Sequence, residues 1–585
     1  MSVSQTNIVH IPVRDLLQLD QVHRNANSLG QFLQNCNVRE RTWNSAIQIL
    51  RTWTEIQEVV SEYVLYGDQE ATSDRVLIKL RTLLVSTGKL VFFNGFDDLS
   101  ITDLLCEVHL NFDNLLYRYQ GFDQPITCMI PLSTQPSPNE FESVINRINE
   151  TERRADIVMV LALGNADNIR YIHNSYSDYK IILIDEYDLK TLVFADEIRT
   201  SFNRIVVRDI DRRDIQPYSH TGIRPSMFYG REREIGSILG NQSKSYAIFG
   251  PRRIGKTFLV KEIERRIAVK PEYRVVYFSC EKKKSHQVKD RLLREVGIKI
   301  NRETRRNFED HLRTHIKRSH KKFVFMLDEV DDLIAEEKKR ENEFFASLRN
   351  LHNELQENCR FVFIGFQTLV SQLDHWTSPF YNFTERLLLD CLTEDATRKL
   401  ILQPMESELF LTFHNKGKLV EEILQKTMRH PALIQFMCAK VIERACEEGR
   451  TTISPDDVQE VFNLYEYRKL IIGSFWNVLE RMQQIFALQM LQIMRPVTSI
   501  ELQDALTENG VHLDIGDVEF HLEGMIVAGM IVKKSQFYSF ANSLFSDILR
   551  QSEDTVSLFE RLRRELHASF TESRRHIVPF TSQTA

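Results

Sequence analysis

An α/β fold is predicted: a parallel sheet with flanking helices at the centre, a helical unit after it, and a smaller α/β unit before it. Three observations predict it. Apolar runs at YAIFG (246–250), VVYFS (275–279), FVFMLDE (323–329) and RFVFIGF (360–366) alternate with helical patterns. Continuous apolar strands separated by helices mark a parallel sheet covered on both faces. Upstream, IVMVLALG (157–164) and KIILIDE (180–186) are buried-strand runs around the helical stretch NIRYIHNSY (168–176), a βαβ rhythm. Finally, 585 residues, 42% hydrophobic and 27% charged, imply several domains and exclude disorder of the whole chain.

The elements follow in order. Residues 1–140 read as mostly helical, because Trp43, Ile47, Leu50, Trp53, Ile56, Val59 and Val60 recur at three- and four-residue spacing. PLSTQPSPNE (131–140) reads as a linker or long loop. Residues 141–215 form the small α/β unit, a sensing domain or a degenerate relative of nuclease-like folds. Asp185-Glu186-Tyr187-Asp188-Leu189-Lys190 has the residue types of a metal-dependent nuclease but the wrong spacing for one. The Pro- and Gly-bearing stretch DRRDIQPYSHTGIRPSM (211–227) closes that unit. The main α/β core spans 227–390, and 391–465 reads as all-helical. Within 466–555, IFALQMLQIM (485–494), SIELQDALTENG (499–510) and DIGDVEFHLEGMIVAGM (514–530) suggest three helices, and MIVKKSQFYSF (530–540) alternates like a hairpin. That order reads as a winged helix. Residues 556–585 remain as a C-terminal tail.

The chemistry concentrates at Gly250-Pro251-Arg252-Arg253-Ile254-Gly255-Lys256-Thr257, a full GxxxxGK motif closed by Thr, lying after a strand and before the helical FLVKEIERRIA. The glycines let the backbone wrap a polyphosphate with its N–H groups pointing inward, and the following helix offers its positive end to the same charge. Lys256 would reach the β- and γ-phosphates, and the Thr257 hydroxyl would bind Mg²⁺. The adjoining Phe258 completes the candidate loop. In FVFMLDEVDDL (323–333) an apolar strand runs straight into Asp328-Glu329, at the end where ligands of such sheets gather. Asp328 would hold Mg²⁺, and Glu329 would polarise a water for hydrolysis. Asp331 and Asp332 read as cap and surface residues.

With these motifs the core, a P-loop NTPase unit, resembles the AAA+/STAND superfamily of P-loop ATPases, in its archaeal-type ATPase and bacterial STAND-like branch. The resemblance spans about residues 227–465. MFYGREREI (227–235) is similar to the box that opens such modules, which implies that Phe228, Tyr229, Gly230 and Arg231 lie near the adenine. RFVFIGFQTL (360–369) occupies the sensor strand, with Gln367 or Thr368 where relatives carry Ser or Asn. The stretch 378–405 resembles the entry to a helical lid and offers Arg386 as an arginine acting in cis or in trans. MRHPALIQ (428–435) resembles the lid motif that packs on nucleotide, at His430 and Pro431. The resemblance implies ATP and Mg²⁺ as cofactors, ATP hydrolysis, self-association, and a bacterial regulatory or antiviral-defence setting. Protein partners would engage the N-terminal region or the winged helix. A DNA-engaging ATPase of the origin-recognition or transposition-regulator kind and a pseudo-ATPase scaffold are the alternatives.

Charge bears on the DNA alternative. The chain carries a net −6, which excludes a globally basic nucleic-acid coat. Residues 281–322, however, hold 15 Lys and Arg against 6 Asp and Glu, a local +9 suited to phosphate contacts or to a solvated helix pair. The helix that a winged fold would lay in a DNA groove carries Asp514, Asp517, Glu519 and Glu523 and no Lys or Arg, which phosphates would repel. No run of about 18 apolar residues suggests a membrane span, and no signal peptide is apparent. The eight cysteines form no CxxC pair. A cytoplasmic protein is the expectation.

Overall fold

The computed structural model describes residues 8–575 apart from 26–27, 67–69, 92, 103, 114–117, 136, 154–155, 177, 220–223, 242, 374 and 553. Its N-terminal part is built on the helix Glu40–Tyr66, whose Trp43, Ile47, Leu50, Trp53, Ile56 and Val60 are all buried. That stripe packs against a five-stranded sheet: β1 (Phe93–Thr102), β2 (Leu105–Phe112), β3 (Ile126–Pro131), β4 (Ile157–Leu161) and β5 (Lys180–Ile184), in that spatial order. β1, β2 and β3 run antiparallel, whereas β3, β4 and β5 are parallel.

The helical reading of 1–140 describes the part up to Val91, and the sheet departs from it beyond that point. Three of its strands lie between 93 and 131, so the expected boundary at 140 falls inside one sheet. β1 (FNGFDDLSIT) is polar and shifts register near Gly95 and Asp97, which erases its period-two signal. β2 does alternate, with Cys106, Val108, Leu110 and Phe112 turned inward. The Pro-rich stretch 131–140 is brief: Pro131 ends β3, and Ser137 caps the helix Pro138–Glu150 in a capping box with Glu140. Asp185 and Asp188, two of the residues with nuclease-like identities, are buried in ion pairs with Arg170 and Arg208.

The central sheet contains β6 (Ser245–Phe249), β7 (Tyr273–Ser279), β8 (Lys322–Asp328), β9 (Cys359–Ile364) and β10 (Thr384–Leu388), ordered β10-β6-β9-β8-β7 with every pair parallel. The four apolar runs are four of these strands. β10, whose burial is patchy, carried no comparable signal. β9 lies between β6 and β8, so the loop after β6 and the acidic pair after β8 open at the same edge. Rings of Phe325, Phe361, Phe363, Phe345 and Phe380 stack edge and face across one side of the sheet, which holds this edge rigid.

A helical layer follows, with Glu394–Ser407, Lys416–Thr427, Pro431–Glu447 and Pro455–Asn463 as its main helices. Helices Arg481–Ile493, Ser499–Glu508 and Ile515–Val527 then precede an antiparallel hairpin, β11 (Ile531–Lys534) with β12 (Phe537–Phe540). The expected tail is instead helical through Arg575, and its Leu558, Phe559 and Leu562 are buried against Arg481–Ile493. Among the described residues no helix is long and apolar enough to cross a membrane.

The C-terminal unit sits on the core. Val527 joins the apolar cluster under the central sheet, and the Gln367 amide donates to the carbonyl of Gly524 at 3.3 Å and to Gln483 at 3.1 Å. Gly529, at φ +71°, leaves room for Pro251, since a Cβ there would lie 2.7 Å from the proline ring. Gly529→Ala is therefore expected to lower stability by about 1–3 kcal/mol, read as a drop in the thermal unfolding midpoint.

Candidate functional site

The glycine-rich loop occupies the turn between β6 and the helix Lys256–Ala268. Gly250 has φ +149°, and a Cβ there would come within 2.2 Å of the Leu389 carbonyl, so only glycine fits. Gly255 and Arg253 also take positive φ, curling the backbone around a concavity. Lys256 lies across it: its ammonium donates to the carbonyls of Gly250 at 2.8 Å and Pro251 at 2.9 Å. Burial pushes this ammonium down to about 8, although Asp331, Asp328 and Glu329 nearby favour its charge. The free protein therefore loses the Lys256 proton as pH rises through about 8. Anion affinity at this loop is expected to fall by up to about tenfold per pH unit above that point, measurable by titration from pH 7 to 9.5.

The acidic pair meets the loop from β8. The Thr257 hydroxyl donates to Asp328 Oδ2 at 2.8 Å, and the Tyr277 hydroxyl donates to the same oxygen at 3.1 Å. The Glu329 N–H donates to Asp328 Oδ1 at 2.9 Å. Glu329 has φ +54°, a sparsely populated conformation for its residue type, of the kind that clusters at functional sites. Its carboxylate accepts from the Ser279 hydroxyl at 2.9 Å, while burial raises its pKa. Among the described residues no cluster of three or more His, Cys, Asp or Glu forms a self-contained metal site. Mg²⁺ needs none here, because it keeps waters and substrate phosphates as ligands. The hard oxygens of Thr257 and Asp328, already in contact, fit that role.

Lys256, Thr257, Asp328 and Glu329 line one side of a cavity of about 430 Å³. One wall is the segment Met227–Tyr229 with Arg231, where Phe228 stacks on Phe258 at 5.4 Å and 7°. Another comes from the helical layer through Leu392, Leu400, Pro431, Ala432 and Gln435. Arg252, Arg253 and Ile254 line the cavity as well. Arg231 is stitched by its guanidinium to Glu234, to the Asp390 carbonyl and, at 3.5 Å, to Ile254, so it braces the wall.

Two expectations are corrected, and a third keeps only its trans alternative. His430 does not face the cavity: it is fully buried, and its Nε2 donates to the Arg252 carbonyl at 3.0 Å, so it pins the loop while Pro431 supplies the surface. Burial drives this imidazole down to about 4 and keeps it neutral. Gln367 lies beyond the end of β9 and turns to Gln483 and Gly524 in the C-terminal unit, because Asp331 caps its helix by accepting from the N–H groups of Phe366 and Leu369. Arg386 is exposed on the edge strand β10 and donates to the Leu373 carbonyl at 2.7 Å, outside the cavity of its own chain. Sequence reasoning missed Ser279, Tyr277 and Ser219, which belong to no motif, and Gln435, which ends the lid motif but was not singled out in it. Asp331, read with Asp332 as cap and surface residues, caps the helix after β9, and its charge also acts on Lys256. The order in which β7 and β8 lie side by side is what brings Ser279 to Glu329.

Residues 240–373 match a family model described as an AAA domain. Over those residues the central unit is similar to AAA domains. The match covers less than a quarter of the chain, and no curated protein matches it. Among solved structures, a Walker-type ATPase of Pyrococcus abyssi is similar over 56% of this chain and 97% of its own, at 15% identity and a TM-score of 0.40. The ORC2 protein of Aeropyrum pernix, solved as ADPNP and ADP complexes, is similar over 61% and 98%, at 14% identity and 0.42. The Thermotoga maritima RuvB Holliday junction branch migration motor follows over 55% and 95%, at 15% and 0.32. Likenesses this weak carry no weight for function. What the core can do is read from its own residues: a curled glycine-rich loop, the Lys256 ammonium, the Thr257–Asp328 hydroxyl–carboxylate pair and the Glu329 carboxylate held by Ser279.

Proposed function

We propose that the protein binds Mg-ATP between the AAA core and the helical lid and hydrolyses it slowly, as an AAA+/STAND-like switch. The convergence of Lys256, Thr257, Asp328 and Glu329 on one side of one cavity carries this reading. The Lys256 ammonium leaves the carbonyls of Gly250 and Pro251 for the β- and γ-phosphates, exchanging two neutral acceptors for charged ones. Thr257 and Asp328 would hold Mg²⁺, which neutralises developing phosphate charge. Glu329, oriented by Ser279, accepts a proton from the attacking water. Phe228 and Phe258 offer the base an apolar face. The lid contributes through Pro431, Ala432 and Gln435, so nucleotide favours whichever lid position these residues adopt against it.

In this reading the unit over 466–555 acts as a winged-helix clamp, and its contact with Pro251 supports that role. Arg386 lies on an edge strand outside the cavity of its own chain, so a role for it in hydrolysis would require self-association. The test is phosphate release with Mg²⁺ and ATP: slow turnover that EDTA abolishes supports the proposal, and none at any enzyme concentration leaves only a scaffold that holds ATP.

The DNA-engaging reading rests on 281–322. Part of that charge is answered in the fold: Arg305 pairs with Asp290, Arg313 and Lys317 with Glu354, and Lys322 with Glu357. The helix Ile515–Val527 also buries Val518, Leu522, Met525 and Val527. Duplex-DNA affinity at two salt concentrations separates the readings, and absence of binding at low salt removes this one.

A further inference from the structure

Arg118 belongs to the N-terminal unit, between β2 and β3, yet it touches two walls of the nucleotide cavity. Its Nε donates to the Ser226 carbonyl at 2.8 Å, and its guanidinium carbon lies 5.4 Å from the centre of the Tyr229 ring. Ser226 and Tyr229 flank Met227 and Phe228 on the proposed base-side wall. The same guanidinium donates to Glu408 at 2.7 Å, and Glu408 caps the C-terminus of the lid helix Glu394–Ser407. Glu408 is only 1% exposed and is also paired with Arg199 at 2.9 Å, while the Tyr119 hydroxyl donates to its carbonyl at 3.0 Å. One side chain of the N-terminal unit thus spans from the base-side wall to the lid, and Arg199 reaches the lid alone.

We propose that Arg118 is a positioning residue of the nucleotide cavity, fixing the Tyr229 wall against the lid so that docking of the N-terminal unit sets nucleotide affinity. The inference rests on reading the cavity as an ATP site. The planar guanidinium fork serves three directions at once, which a lysine ammonium on a flexible stem does not reproduce. Truncating it leaves Glu408 with Arg199 as its one cationic partner among the described residues and frees the wall from the lid. Because binding linkage is reciprocal, a nucleotide that prefers the braced cavity must strengthen docking of the N-terminal unit by the same factor.

The test uses the full chain, Mg²⁺ and a fluorescent ATP analogue. Arg118→Ala is expected to weaken binding by roughly tenfold, within the range of such couplings. Arg118→Met, which keeps the apolar stem, gives the same loss in a chain whose circular dichroism matches wild type. Arg199→Ala stays within about twofold, because Arg199 contacts the lid but not the wall. Hydrogen exchange supplies a reading that general destabilisation would not produce. Amides of 225–231 exchange faster in both Arg118 variants while β6 and β8 are unchanged, and nucleotide protects β3 in wild type only. Unchanged affinity in Arg118→Met, or equal losses in the Arg118 and Arg199 variants, overturns the proposal. A wild-type chain that fails to bind the analogue overturns the ATP reading itself, and this proposal with it.

Discussion

Replacing Lys256 with alanine is expected to abolish measurable ATP binding, raising Kd by at least about 100-fold. The loop backbone supplies partial charges and Arg252 and Arg253 line the cavity, but Lys256 is the cation held across the loop, oriented by the Gly250 and Pro251 carbonyls. Its loss leaves those two carbonyls facing an incoming phosphate, so the variant both removes an attraction and uncovers a repulsion. The fold should survive, since Ile254, Leu259 and Val260 carry the packing of this segment and are untouched. Calorimetric titration checks the outcome, with thermal unfolding as the control for fold. Binding within tenfold of wild type would move the nucleotide elsewhere.

Glu329→Gln is expected to leave ATP binding intact while hydrolysis falls by about 10²–10⁴-fold, the range for loss of a general base. Glutamine keeps the volume and an acceptor for the Ser279 hydroxyl but cannot take a proton from water. Positive φ at this position is unaffected by the change, so the site geometry should persist. Single-turnover phosphate release, measured with the variant saturated, separates the two effects. An unchanged rate would assign water activation to another group.

The central sheet was legible because β6, β8 and β9 are covered on both faces, which makes them continuous apolar runs; both site motifs adjoin such runs and were found with them. The N-terminal sheet hid two of its strands for opposite reasons. β1 carries Asp97 and Asp98 on an exposed edge, and β3 (ITCMIP) sits beside a Pro-rich stretch that reads as loop. Residues whose role depends on a neighbour distant in sequence left no local signal. His430 finds Arg252 across 178 positions, Gln367 finds Gln483 across 116, and Arg118 finds Glu408 across 290. Periodicity and motif spacing describe what a segment offers, whereas these pairings arise from how the lid and the flanking units dock.

A structure of the full chain with a non-hydrolysable ATP analogue and Mg²⁺ tests the central claim most directly. The account predicts phosphates within the 250–257 loop, Lys256 turned from the Gly250 and Pro251 carbonyls to the β- and γ-phosphates, and the base against Phe228 and Pro431. An empty cavity at saturating analogue, or nucleotide bound away from Lys256 and Asp328, would contradict it.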